Sequence, residues 1–180
     1  MWNGTEAQRQ ALKAYVLATP ALASLFGSGD YERLSNALNA NSTPAFWIYK
    51  TSVTKEDFCC QVGPDGSLFN WSVYIARSLQ ELKAWDEQFS RGSMNPSLPN
   101  VPSAVRDIFS GGTAPVVAHR QHCLDVLRRR TTVAERVLVI TPGAAIPGGT
   151  AGDGTKATPG QLGWSGNVDV FDINTIMAAP

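Results

Sequence analysis

Net charge is the first thing this sequence lacks: fifteen lysine and arginine side chains are balanced by fifteen aspartates and glutamates. Without a global field, nothing draws the whole molecule onto nucleic acid or an anionic membrane, and any such role must come from a local patch. Cysteine is scarce as well. Three residues, two of them neighbours at Cys59 and Cys60, do not make a disulfide framework, because adjacent residues rarely bridge and an odd number leaves one over. A reducing compartment fits. No apolar run approaches the roughly 20 residues needed to span a bilayer, and the start, Met1-Trp2-Asn3-Gly4-Thr5-Glu6, lacks a basic stretch followed by an apolar one. The expected setting is cytosolic, with no membrane partner.

Signatures of chemistry are also missing. There is no Gly-x-Ser-x-Gly elbow, and Gly152-Asp153-Gly154-Thr155-Lys156 lacks both the phosphate-loop spacing and a following helix pattern, so it reads as glycine in a linker. His119, His122, Cys123 and the Cys59-Cys60 pair are the one conceivable zinc set, yet structural zinc ligands come in spaced pairs, which adjacent cysteines do not supply. The plainer reading is a helix with solvated histidines and a buried cysteine. Asp125, Glu135, Asp169 and Asp172 sit in no polar cluster that would shift their pKa values for acid–base work. No catalytic residue, metal or cofactor is expected, and the chain is not read as an enzyme.

What is present is helix punctuation. The apolar fraction of 43% in 180 residues suits one globular domain with an appendage. Thr5-x-x-Gln8 has capping-box spacing, predicting a helix from Glu6 to Ala18 with Leu12, Tyr15 and Val16 buried and Pro20 as its stop. Asp30 caps a second helix carrying Leu34, Ala37 and Leu38. Phe46 to Val53 is a short extended segment, Thr54-Lys55-Glu56-Asp57 a further helix start, and Gly63-Pro64-Asp65-Gly66 a turn whose flanks form a small hairpin. Ile75, Leu79, Leu82 and Phe89 predict one amphipathic helix from Ser72 to Phe89. Ser93 to Pro102 is an extended connector, after which Ser103 caps a helix to Phe109. Val116, Val117, Cys123, Leu124 and Leu127 predict another helix, whose last turn carries Arg128, Arg129 and Arg130. The box Thr132-x-x-Glu135 restarts the chain as a helix through Ile140.

The expected fold is therefore mainly α: a helical bundle over residues 1–141 with a small β hairpin or extended element. A long Gly/Pro-rich C-terminal arm follows over 142–180. Its apolar side chains, Trp164, Val168, Val170, Phe171 and Ile173, have little adjacent core in the sequence. They are expected to anchor the arm on a neighbouring chain, where burial offsets the entropy of ordering it. Arg120, Arg128, Arg129, Arg130 and Arg136, opposed nearby by Asp125 and Glu135, form a candidate basic patch for an acidic protein surface or DNA phosphates. Aromatic interleaving for base stacking is absent.

Three segments in order resemble a family of small virion proteins of tailed bacteriophages and their prophages. They are Phe46-Trp47-Ile48-Tyr49-Lys50-Thr51-Ser52-Val53-Thr54, Met94-Asn95-Pro96-Ser97 leading to Val105-Arg106-Asp107-Ile108-Phe109-Ser110-Gly111, and Arg130-Thr131-Thr132-Val133-Ala134-Glu135-Arg136. The size and helical character are similar to head-to-tail adaptors. That resemblance implies a structural role in the virion neck, assembled in the host cytoplasm as a homo-oligomeric ring, a dodecamer as in neck adaptors. The ring would join the portal protein to tail or nozzle proteins around a channel, with non-specific contact to packaged DNA. A tail-completion or tail-terminator protein, or a soluble phage regulator of a host protein, is the alternative. The chain departs from the family at Leu138-Val139-Ile140-Thr141-Pro142, at Ser165 before Gly166, and in a Gly/Thr-rich lengthening around Ala151 to Lys156.

Overall fold

A computed structural model describes residues 2–63 and 66–178. The chain is mainly α with small β elements, in the order α1 Glu6–Ala18, α2 Pro20–Gly27, α3 Tyr31–Asn39, β1 Trp47–Tyr49, β2 Val53–Thr54, α4 Lys55–Cys60, α5 Trp71–Ile75, α6 Leu79–Glu87, β3 Ser93–Met94, α7 Asn100–Ile108, α8 Ala114–Val126, β4 Arg128–Arg130, α9 Val133–Val137, β5 Ala145–Ile146, β6 Gly149–Thr150 and α10 Val170–Met177. It divides into two compact units. The first is drawn from Met1–Trp47, Arg130–Pro142 and Gly152–Pro180, the second from Ile48–Arg129 and Gly143–Ala151. The expected division into a 1–141 body and a 142–180 arm is therefore not the one that forms.

In the first unit the helix starts are those the side-chain spacing dictates. The Thr5 hydroxyl accepts the Gln8 N–H while the Gln8 side chain accepts the Thr5 N–H, and Thr132 with Glu135 does the same for α9. Pro20 does not merely stop α1; it opens α2, where a missing N–H costs nothing. Leu12 and Val16 of α1, Leu22 of α2, Leu34 and Leu38 of α3, and Ala134 of α9 share one core with Leu138. Tyr15, expected in that stripe, is partly exposed. Helix α9 ends at Val137 rather than Ile140.

The second unit packs Phe58 of α4, Val73 of α5, Trp85 of α6, Val101, Val105 and Ile108 of α7, and Cys123, Leu124 and Val126 of α8. Here the expected Ser72–Phe89 helix is two. Ser78 starts α6 with a capping box of its own, its hydroxyl accepting the Glu81 N–H and Glu81 accepting the Ser78 N–H at 2.7 Å. The break turns Val73 and Trp85 inward and leaves Ile75 and Leu79 in solvent. Helix α7 begins at Asn100, so Pro102 sits within its first turn, where its N–H would have had no partner, and the Ser103 hydroxyl donates to the Pro99 carbonyl.

Among the described residues the strands form two-stranded pairs. β1 pairs with β4, and β2 with β3 through Val53 opposite Met94. β5 and β6 form a hairpin closed by Pro147-Gly148, where proline fixes the first turn dihedral and Gly148 takes φ +82°. Of the turn expected at Gly63–Gly66, Pro64 and Asp65 lie outside the described residues. The Gly63 N–H donates to the Ser67 carbonyl at 2.8 Å.

Candidate functional site

The C-terminal segment is the largest correction. Trp164, Val168 and Ile173, with Ile176, are buried in the first unit's own core rather than held out for another chain. Trp164 stacks on Trp2 with ring centroids 4.9 Å apart, and its indole N–H donates to Asn3 Oδ1 at 2.7 Å. Asn39 holds the backbone of Val168 at both ends: Oδ1 accepts the Val168 N–H at 2.9 Å and Nδ2 donates to its carbonyl at 2.8 Å. A capping box between Asp169 and Asp172, unread in the sequence because both members are acidic, then starts α10. Of the proposed anchors, only Val170 and Phe171 face solvent, Phe171 with 79% of its surface exposed.

The glycine-rich stretch before it is a packed loop, not a linker. The Gly154 carbonyl accepts the Trp47 N–H at 2.7 Å, and the Gly160 N–H donates to the Trp47 carbonyl at 2.8 Å. Asp153 Oδ1 accepts the Thr155 N–H at 2.9 Å and the Thr158 hydroxyl. Those bonds to the charged form hold its carboxyl below the usual carboxylate range. Glycine is needed because the loop lies against the buried Phe46 ring.

The five arginines are engaged separately. Arg120 donates to the carbonyls of Phe109 and Gly111 at 2.9 and 3.1 Å, capping the end of α7. Arg128 to Arg130 lie in strand β4, not in a helical turn. Arg128 is buried and paired with the buried Asp125 at 3.1 Å, Arg129 is half-buried, and Arg130 donates to the Ser42 carbonyl at 2.7 Å. Only Arg136 is exposed, its guanidinium 4.0 Å over the Phe46 ring. Charges so held are structural, and the solvent-facing basic cluster expected from the sequence is reduced to one residue.

The histidines are buried in the second unit, not solvated. His122 Nε2 lies 3.1 Å from the Phe58 carbonyl, which can only accept, so the proton is on Nε2 and Nδ1 takes the Ser67 hydroxyl at 3.1 Å. His119 Nδ1 accepts the Asn70 N–H at 3.1 Å, placing its proton on Nε2, 3.7 Å from Cys123 Sγ. Edges of Phe69 and Phe109 close around it. Burial, reinforced by the neighbouring His122 and Arg77, lowers the His119 pKa to about 4. Burial raises the Cys123 thiol far above its ordinary range, so no thiolate is present for nucleophilic or metal chemistry. The cluster knits α8 to α4 and α5.

The feature that faces outward is apolar. Val62, Leu68, Trp71, Ile75 and Leu79 all stand in solvent within one stretch of the second unit, Ile75 at 71% and Leu79 at 86% exposure. Trp71 and Ile75 are one helical turn apart on α5. The Trp71 ring meets Phe69 and Tyr74 edge-on, with centroids 4.9 and 5.8 Å away, so the exposed indole is held in place by the buried Phe69 and the half-buried Tyr74. Sequence patterning assigned Ile75 and Leu79 to a core stripe; the missed signal was Ser78-x-x-Glu81.

Among the described residues no helix is long and apolar enough to cross a membrane, and no three His, Cys, Asp or Glu side chains are grouped to hold a metal ion. No family model matches this chain, and no curated protein or solved structure is detectably similar to it.

Proposed function

We propose that this chain is a structural, self-associating virion protein of a tailed phage, forming a ring in the neck between portal and tail. The observation that carries the assembly part is the exposed apolar stretch Val62, Leu68, Trp71, Ile75 and Leu79. Each of these large apolar side chains, exposed within one short stretch of chain, costs free energy in water that burial against another protein would recover. Trp71 is a suitable anchor because its ring is already ordered, so little side-chain entropy is lost when a partner covers it. The virion part rests on the resemblance of the 46–54, 94–111 and 130–136 segments, which in this fold supply β1, β3 with α7, and β4 with α9. With the C-terminal segment folded into its own core, the arm contributes nothing to the proposal beyond Val170 and Phe171.

Mass spectrometry of purified particles tests the location: the chain is expected at a constant ratio to the portal protein, and its absence from particles would leave a regulator of a host protein as the reading. Sedimentation of Trp71→Ser and Leu79→Ser tests the surface. Both are expected to keep a wild-type circular dichroism spectrum and to lose self-association. Unchanged association would remove the apolar stretch from the proposal.

A further inference from the structure

A shallow pocket of about 270 Å3 in the first unit is lined by Tyr15 of α1, Ser42 and Thr43, and Val133, Arg136 and Val137 of α9. Arg136 gives it a specific chemistry. One face of the guanidinium lies on the Phe46 ring at 4.0 Å, and among the described residues it takes no hydrogen bond or ion pair. Its other face and its N–H edge are therefore open to a ligand. A guanidinium so placed accepts an aromatic ring over the free face and a carboxylate at the edge, while the two valines supply apolar wall.

The same chain presents that pair of groups elsewhere. At the start of α10, Phe171 stands almost wholly in solvent, and the exposed Asp169 shares one concavity with it, together with Asp172 and Thr175. Asp169 Oδ1 accepts the Asp172 N–H at 2.7 Å, and the residue is exposed. An aromatic ring and a carboxylate two residues apart match an aromatic-backed arginine between valines in both polarity and charge.

We infer that the Arg136 pocket receives the Phe171–Asp169 corner of a second copy of this chain. The contact joins two different patches, so each copy offers one of each and the association runs head to tail, the kind of contact that builds a ring when the rotation between copies closes. The inference rests on the self-assembly reading above and names a contact within it, separate from the Val62–Leu79 surface.

Photo-crosslinking with p-benzoylphenylalanine in place of Phe171 tests it on the full-length protein. The expected product is an intermolecular crosslink to the Val133–Val137 segment. Sedimentation equilibrium of Arg136→Ala and Phe171→Ala should show association weakened by about tenfold or more in each, with the double variant no weaker than Arg136→Ala alone. Asp169→Asn, which keeps a good helix cap, should show a smaller loss that vanishes at high salt. Crosslinks to other segments, additive losses, or wild-type association in Arg136→Ala would overturn the inference. If Arg136→Ala associates normally while Trp71→Ser does not, the assembly reading stands and this contact falls. A chain that stays monomeric throughout and is absent from particles removes both.

Discussion

The side-chain amide of Asn39 grips the peptide groups of Val168 from both ends, accepting its N–H at 2.9 Å and donating to its carbonyl at 2.8 Å. A single side chain thereby does the work of a neighbouring strand, satisfying backbone that a 0% exposed Val168 has taken out of water. Asn39→Ala leaves the buried N–H unpaired and should cost about 2 to 3 kcal/mol in urea unfolding. Asn39→Asp keeps the acceptor and loses the donor, leaving Ser35 to serve the carbonyl, so it should cost less than Asn39→Ala.

Removing residues 143–180 takes Trp164, Val168, Ile173 and Ile176 out of the first unit's core. At about 1.5 to 3 kcal/mol for each buried side chain, the loss is comparable to the whole stability of a domain this size. The truncated chain should show no cooperative thermal transition for that unit by circular dichroism. A sharp, unchanged melt would mean that the C-terminal segment is an appendage after all.

A Cβ built on Gly154 would lie 2.0 Å from Phe46 Cε2, and its φ of +84° disfavours any side chain. Gly154→Ala combines overpacking with backbone strain and should cost about 2 to 4 kcal/mol. Gly143→Ala shares the positive φ but has open space around it, so only the backbone part, about 1 kcal/mol, should be lost. Equal losses at the two positions would argue against the packed loop.

Arginines that look alike in sequence should behave oppositely on substitution. Arg128 and Asp125 are both buried and 3.1 Å apart, so Arg128→Ala removes the guanidinium beside a buried carboxylate and should cost about 3 to 5 kcal/mol of stability. Arg136→Ala loses a partly exposed cation–π contact worth roughly 0.5 to 1 kcal/mol. Chemical denaturation of the two variants side by side measures the difference. A basic surface patch would instead make both nearly neutral.

Local signals were legible in the sequence where the chemistry is local. Reciprocal Thr-x-x-Gln and Thr-x-x-Asp/Glu spacings located the starts of α1, α4 and α9 to the residue, because the capping partner lies three positions away. Ser78-x-x-Glu81 carries the same signal but sits inside an apolar periodicity, and the periodicity outweighed it. The helical reading of Arg128 to Arg130 failed for a different reason. A three-residue strand has no periodicity of its own, and its conformation is set by a partner, β1, some eighty residues away. Gly152, Gly154 and Gly160 resemble a linker in composition, and only Phe46 and the Thr158–Pro159 backbone pressing on them reveal why side chains are absent. Arg136 was singled out within a cluster; what gives it a distinct role, the ring beneath it and the valines around it, is entirely tertiary.

Acid should weaken the second unit through His119. Its pKa is lowered from 6.5 to about 4 by burial, and a proton added at Nδ1 would also face the Asn70 N–H that now donates to it. The unfolded chain therefore binds a proton at higher pH than the folded one does. The sign follows: the full stability is present above about pH 6.5 and falls as the pH drops toward 4, by on the order of 3 kcal/mol over the window. Asp57 and Glu81, whose folded pKa values are lowered by hydrogen bonds at the caps of α4 and α6, add their losses as the pH falls through the ordinary carboxylate range and below it. Urea unfolding at pH 7, 5.5 and 4.5 should show this early decline in the wild type. His119→Phe should lose it while starting from a lower stability, because the Asn70 N–H is left without its acceptor. If the variant declines as steeply as the wild type between pH 6.5 and 4.5, the buried ring is not the group being titrated.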